Sequence, residues 1–565
     1  MKILTSIAVS SHLAIGLLAS LTTQSLAAAD ADLLFVGKHV ITMQSGKRHA
    51  QPLAVAVTGE TISWLGSAEQ AGSVSGPNTK IIELGEQALL PGFIDAHGHI
   101  SFVGASSLLA NVASPPVGPV EDMDDLVVQL QTYISANNIP EGEWVIGRGY
   151  DDSLLKEGRH PTRDDLDRVS TLHPVGLIHV SGHLAATNSK GLARAGINAE
   201  SKDPAGGLIR RRTGSTEPNG VLEETATSRI SQHMAAAIKD PLEAVTVAIQ
   251  EYAKNGITTA QDGGSSQQSI DLLRAADAAG HINLDIVAFP RGQGDEKDIS
   301  SRYAFGEYVG RVKVGGVKLM LDGSPQGKTA YMTEPYLIPP DGQAKDYRGY
   351  PNIPQTRVST LVKHYLDASI PVIAHANGDA AADMLIQAVR EAQQGQDHRT
   401  VMIHAQTVRE DQLTDMKTLA MIPSYFAAHS FYWGDWHRDS VFGVERAQRI
   451  SPTATTLARG MWFTVHNDSP VVPPDMMRLL WATTNRITRS GKVLGANQRI
   501  STIDALRAVT YNAAYQHFEE QIKGSLEVGK QADFVVLSTN PLLIPSTDLL
   551  SVKINATFAR GKQVY

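Results

Sequence analysis

Short β-branched runs broken by glycine and polar turns occur at both ends of the chain. At the N-terminal end these are DLLFVGKHVITM (32–43), PLAVAVTGETISWLGS (52–67) and KIIELGEQALLPGFIDAHGHI (80–100). GSLEVGKQADFVVLS (524–538) and INATFARGKQVY (554–565) have the same texture. Between the ends, apolar strands alternate with helical periodicity. GITTAQDGG, LDIVAFP, VGGVKLMLDGS, PVIAHANGD, TVMIHAQT, MIPSYFAAHS and MWFTVHNDSPV read as strands. TRVSTLVKHYLDAS (356–369) and AAADMLIQAVREAQQ (380–394) read as helices.

Alternation over this length predicts an α/β protein with a parallel sheet, and about eight strands predict a (β/α)8 TIM-like barrel over residues 89–520. A small β-sandwich domain is expected from residues 28–88 and 521–565 together. Residues from about 102 to 250 break the rhythm and read as a long insertion after the first strand, rich in Gly, Pro and Asp. Near the end of the barrel, Ser501 and Asp504 are spaced like a capping box.

The first residues change the picture of where the protein works. Lys2, the apolar stretch ILTSIAVSSHLAIGLLASL and the small residues of SLAAAD read as a secretory signal over 1–27. Ser10, Ser11 and His12 interrupt the run, which suits a cleaved signal better than a stable membrane anchor. An exported protein, periplasmic or secreted, is expected. The net charge of -8 and the lack of a basic stripe give nucleic-acid binding no support. With no cysteine, thiol nucleophiles, disulfides and thiolate metal sites are excluded. A small-molecule substrate remains as the partner, and a homo-oligomer is compatible with the sequence.

Candidate chemistry lies at the strand ends. Nineteen histidines give roughly 0.6 His-x-His pairs by chance, so His97 and His99 carry little by themselves. Their position carries more. If the strand continued through them, both would face one side with Asp95, and Gly98 would leave room at the backbone. Buried imidazoles without partners are costly, and a divalent cation removes that cost. PVIAHANGD ends at His375, TVMIHAQT at His404, and MWFTVHNDSPV runs into His466 and Asp468. In a barrel these ends meet at one mouth. Lys318 stands inside an apolar strand, where burial lowers its pKa; the alternative is an ion pair with Asp322 or Asp262.

These segments together resemble the amidohydrolase superfamily, in particular amidohydrolase family 3, the group that includes N-substituted formamide deformylases. LPGFIDAHGHI, GVKLMLDGSPQGKTA, VIAHANGDAA, VMIHAQTV and HNDSPV are similar to its metal-site motifs. WVIGRGYDD, HPTRDDLDRVS, SGHLAATNS and PNGVLEETA resemble its long insertion. ISTIDALRAVTYNAAY and KGSLEVGKQADFVVLS resemble its closing helix and returning strands. One departure is Asn467 before the aspartate, where serine is common in the family.

The resemblance implies two divalent metal ions, with Zn²⁺ expected. His97, His99 and Asp468 would hold the more buried one and His375 and His404 the other. Lys318, as a carbamate formed with CO2, would bridge them. It implies an exported metal-dependent hydrolase acting on a non-peptide C–N bond through a metal-activated water, with Asp468 moving the proton. A lactone, ester or carbamate hydrolase on the same site is an alternative, and a non-catalytic exported binding protein is another.

Candidate pocket residues are His429, Tyr432 and Trp433 in HSFYWGDWH, against ordinary loop packing, and Arg446, against an ion pair. His183, Glu224 and Tyr150 in the insertion stand open between site and scaffold. His39, His49 and His517 are expected to be inert.

Overall fold

The computed structural model describes residues 30–44, 53–233, 238, 240–340, 342–392, 395 and 397–565; the expected signal segment and His49 lie outside them. Both chain ends meet in one seven-stranded mixed sheet. Lys80–Pro91 is central, parallel to Leu33–Val40 and antiparallel to Phe534–Leu537. Successive side chains alternate between two packed faces. Leu34, Ala54 and Ala56 pack on one face with Ala71 and Val74. Phe35, Val55 and Val57 pack on the other with Phe534 and Phe558. The ring of Phe35 lies 5.0 Å from both of those rings.

The middle of the chain builds two parallel arcs in chain order. Phe93–Ile94, Ile257–Ser265, Asp285–Pro290 and Val312–Val314 form one. Val317–Met320, Val372–Ala376, Val401–His404, Ile422–Tyr425 and Thr464–Val465 form the other. These strands are buried and β-branched, the pattern of a sheet covered on both faces. Helices such as Pro241–Lys254, Gln267–Ala278, Gln355–Asp367 and Asp379–Ala392 supply buried faces to the main core. One parallel bridge, Arg291 to Lys318, links the arcs. On the other side Asp468 N donates to His97 O at 3.2 Å and His99 N to Ser469 O at 2.8 Å.

The insertion breaks the rhythm because it builds a different kind of sheet. Its six strands run in the order Gly207–Arg211, Pro218–Glu224, Leu184–Thr187, Val175–His179, Val145–Tyr150, Ala110–Asn111. The first four pair antiparallel, so no crossover helices are needed between them. The sheet carries its own core, including Val112, Leu126, Val145, Leu166 and Leu177. The Ser501 cap forms only in part. Its hydroxyl oxygen accepts from Asp504 N at 3.3 Å, but the Asp504 carboxylate takes the Ser501 hydroxyl at 2.5 Å instead of the backbone amide.

Candidate metal centre

The strand Phe93–Ile94 stops before the histidine pair, so strand alternation is not what aligns His97 and His99. They lie on an irregular turn leading into the helix Ile100–Ser107. Besides the two bonds to the Asp468 loop, Gly263 N donates to Gly98 O at 2.8 Å, so the turn is held from both sides. Gly98 is required there: a Cβ would fall 2.2 Å from Asp95 Oδ2 and 2.9 Å from the Tyr252 hydroxyl. Asp95 does not join the pair. Burial pushes its carboxyl up to about 7, outweighing the Tyr252 hydroxyl beside it.

Six side chains converge. Lys318 Nζ lies 2.8 Å from His97 Nε2. Asp468 Oδ1 is 3.1 Å from His99 Nε2 and 3.4 Å from His97 Nε2. Asp468 Oδ2 is 3.9 Å from His404 Nε2, which is 3.1 Å from His375 Nδ1. Lys318 makes no ion pair with Asp322 or Asp262. Asp322 instead accepts from the backbone amides of Tyr331, Asn377 and Gly378, and Asp262 accepts from Ser101 and Ser265. The backbone at His404 and Asp468 holds φ of 71° and 55°. Such left-handed conformations cost non-glycine residues about 1–3 kcal/mol and persist only where surrounding structure imposes them.

The second ring nitrogens fix which lone pairs face inward. His97 Nδ1 donates to Gln261 Oε1 at 2.6 Å, His99 Nδ1 to Gly263 O at 2.5 Å, and His375 Nε2 to Gly323 O at 3.0 Å. That leaves His97 Nε2 and His99 Nε2 as lone pairs facing Asp468, and His375 Nδ1 as one facing His404 Nε2. Burial, and then Lys318, hold His97 well below the ordinary histidine range. Burial, then neighbouring histidines, do the same for His375 and His404. Burial alone would raise the Asp468 carboxyl, but His404, His99 and His97 outweigh it and keep it ionised. Neutral imidazoles and an ionised carboxylate in a buried cluster need a cation between them. The donor set therefore fits divalent metal, and His97, His99 and Asp468 have ligand atoms within 4.8 Å of one another.

Sequence reading passed over Gln261, although the signal was the same as for Lys318: a polar residue inside an apolar strand. Its amide nitrogen donates to Ala96 O at 2.7 Å, so its oxygen must face His97. Gln261→Ala is expected to lower metal affinity about 10- to 100-fold, read by competition with a chelator of known strength. His466 was placed correctly at a strand end but lies behind the centre, with Nε2 3.3 Å from His404 Nδ1 and Nδ1 2.9 Å from Ser424 Oγ. Asn467 turns towards the Met476 sulfur at 3.7 Å.

Of the pocket candidates, His429 is buried, its ring 4.2 Å from Phe426, and its Nδ1 has no partner among the described residues. Tyr432 and Trp433 line a cleft with Ala113 and Val117 of the insertion and Val471 and Val472 just past Asp468. Trp433 Nε1 donates to Asp151 at 2.5 Å, tying this loop to the insertion. Asp151 belongs to a second buried group with Asp152 and His179, near which Tyr150 packs against His160 and His179. Arg446 is not brought to the centre: it donates to Phe442 O and Pro335 O and lies 3.8 Å from Glu334. His183 does reach it, 5.0 Å ring to ring from His375. His39 lies in the terminal sheet, and His517 is buried beside the backbone oxygen of Asp95.

Comparison with known proteins agrees with this geometry. The amidohydrolase family profile matches residues 80–565. N-substituted formamide deformylase of Arthrobacter pascens is 25% identical over 548 residues, covering 94% of this chain and 97% of that protein. Putative amidohydrolase YtcJ of Bacillus subtilis is 25% identical over 535 residues, covering 91% and 96%. A solved structure described as an uncharacterized metal-dependent hydrolase from Pyrococcus horikoshii shares the fold with a TM-score of 0.69 at 21% identity, covering 91% of this chain and 99% of that one. With a family match over nearly the whole described chain and a buried donor set suited to divalent cations, the protein belongs to the amidohydrolase family and is a metal-dependent hydrolase.

Proposed function

We propose that the protein is an exported hydrolase that cleaves an amide-type, non-peptide C–N bond in a small molecule. The observation that carries the reading is the meeting of three inward imidazole lone pairs, Lys318 and the ionised Asp468 in one buried cluster. In this reading two Zn²⁺ ions are held by His97, His99, Lys318, His375, His404 and Asp468. Bound there, they would bring the pKa of water down towards ~7 and polarise a substrate carbonyl. Asp468 takes a proton from the attacking water and returns it to the leaving nitrogen, which cannot depart as an anion. His429, Tyr432 and Trp433 form the wall against which the substrate rests.

Burial lowers the Lys318 amine to about 7, so it is largely neutral above that pH and free to attack CO2. A nitrogen–carbon bond forms, one amine proton leaves to solvent, and the carbamate presents two oxygens that share a single negative charge. The sign follows: the amine becomes a nucleophile as pH rises through about 7. Reconstitution of metal-free protein with Zn²⁺ and bicarbonate is expected to recover more activity at pH 8 than at pH 6 (roughly tenfold in neutral amine when the pKa is near 7). Equal recovery at both would argue against the carbamate.

Eight of the nine strands of the two arcs, all but Val312–Val314, are taken as a (β/α)8 barrel, supported by their chain order, by the bridge from Arg291 to Lys318 and by the backbone bonds between the first and last segments. The terminal sheet is taken as the small β-sandwich. Export rests on the N-terminal sequence; among the described residues no helix is long and apolar enough to cross a membrane. Formamides, other N-acyl amines, hydantoins and lactones, tested alongside metal analysis, decide the bond. Turnover confined to lactones would replace the amide assignment.

A further inference from the structure

The cleft that Tyr432 and Trp433 share with the insertion runs beside the ligand cluster. Its apolar lining includes Val117 and Val180 on the insertion side and Val471 on the other. Val471 N donates to Asp468 O at 2.9 Å, which fastens that wall to the backbone of a ligand. The free space is about 20 Å³, room for a small head group and not for a ring.

Three charged side chains line the same cleft: Arg148, Asp151 and Arg489. Asp151 is already satisfied. Its Oδ2 accepts the Trp433 indole N–H at 2.5 Å, and its Oδ1 accepts from the amide of Ser153 at 3.0 Å and from its hydroxyl at 2.6 Å. The arginines are not. Arg148, on the strand Val145–Tyr150, donates through Nε to Ser106 O at 2.8 Å, and its other nitrogens meet no acceptor among the described residues. Burial holds its guanidinium below the ordinary arginine range. Arg489 lies near Asp151, Tyr432 and Asp435 yet forms no hydrogen bond or ion pair with any described residue. Asp435 is taken up by Thr488, Ser490 and Arg438 instead. Two guanidinium groups against one carboxylate leave a single positive charge in the lining. A partly buried cation without a counter-charge is costly, and one bound monoanion removes the cost.

We propose that this cleft is a substrate subsite in which Arg148 and Arg489 hold a carboxylate, so that the compounds cleaved are amides bearing an acid group. The amide rests on the reading above; the anion does not. A planar guanidinium presents paired N–H donors that match the two carboxylate oxygens. The wall of Tyr432 and Trp433 takes the apolar part between the acid and the scissile bond. A phosphate monoester, with close to two negative charges, exceeds the charge available.

The test compares N-formylphenylalanine with N-formylphenethylamine on the metal-loaded enzyme; the two share one amide and differ only in the carboxylate. Wild-type kcat/KM is expected to be about 10- to 100-fold higher for the acid, the range of a charge-assisted hydrogen bond. Arg148→Met and Arg489→Met should each reduce that ratio, mainly through KM for the acid, and the double variant should bring it near one. Arg489→Lys keeps the charge and should hold more of the preference than Arg489→Met. The ratio is taken within one sample, so a loss of folded protein does not move it. Equal kcat/KM for the two compounds in the wild type overturns the proposal, as does a preference that survives in the double variant. Turnover of lactones alone would replace the amide assignment, and the subsite is then judged on the same ratio with a lactone carrying or lacking a carboxylate. Titration of tryptophan fluorescence with phenylacetate judges it without turnover. Saturable binding that the double variant loses at unchanged metal content supports the subsite, and no binding to the wild type overturns it.

Discussion

Asp468→Asn is expected to lower kcat about 10³-fold, or ~4 kcal/mol in barrier, while part of the metal stays bound. The carboxylate stands at the junction of the cluster, with one oxygen 3.1 Å from His99 Nε2 and the other 3.9 Å from His404 Nε2. In the proposed reading its charge balances metal and its basicity moves the proton. Asparagine keeps one acceptor oxygen in nearly the same volume but cannot take up a proton. The structural cost should be small, because the backbone at φ 55° is a conformation asparagine tolerates better than most residues. Turnover and metal content measured on the same sample separate the two roles. Full activity in the variant would refute Asp468 as the proton carrier.

Lys318→Ala should take metal content from about two per chain to about one and lower kcat/KM at least 10²-fold, the loss typical of disturbing a catalytic metal site. Lys318 is fully buried, and among the described residues only His97 lies within hydrogen-bonding distance of its amine, so alanine leaves a cavity beside an imidazole lone pair. A short carboxylic acid such as propionate fits the chemistry of the missing carbamate, and part of the rate should return when it is added. A wild-type content near one metal per chain would argue against the lysine bridge, and loss of activity without loss of metal would assign Lys318 another part.

Much of the cluster was legible because its residues interrupt apolar strands. His375 and His404 end strands whose other residues are buried and apolar, and Lys318 stands within one. A polar group in such a run must find a partner, so its presence points to a site before any contact is known. Gln261 carried the same signal and was overlooked. The pairing of His97 with His99 was read from strand alternation, whereas hydrogen bonds from the Asp468 and Gly263 segments align them. Arg446 looked equally plausible as a binding residue, and only its backbone partners show that it braces a loop.

Local patterning by itself determined the α/β alternation, the joining of the two chain ends and the candidates for metal ligation, because periodicity and buried polar residues are properties of short segments. Tertiary structure decided which nitrogen of each imidazole turns inward, that Asp95 stays out, and that His183 and Glu224 reach the centre from the antiparallel side of a mixed sheet more than a hundred residues from His375. Those outcomes depend on hydrogen bonds between segments distant in the chain, and no short stretch of sequence records its own partner.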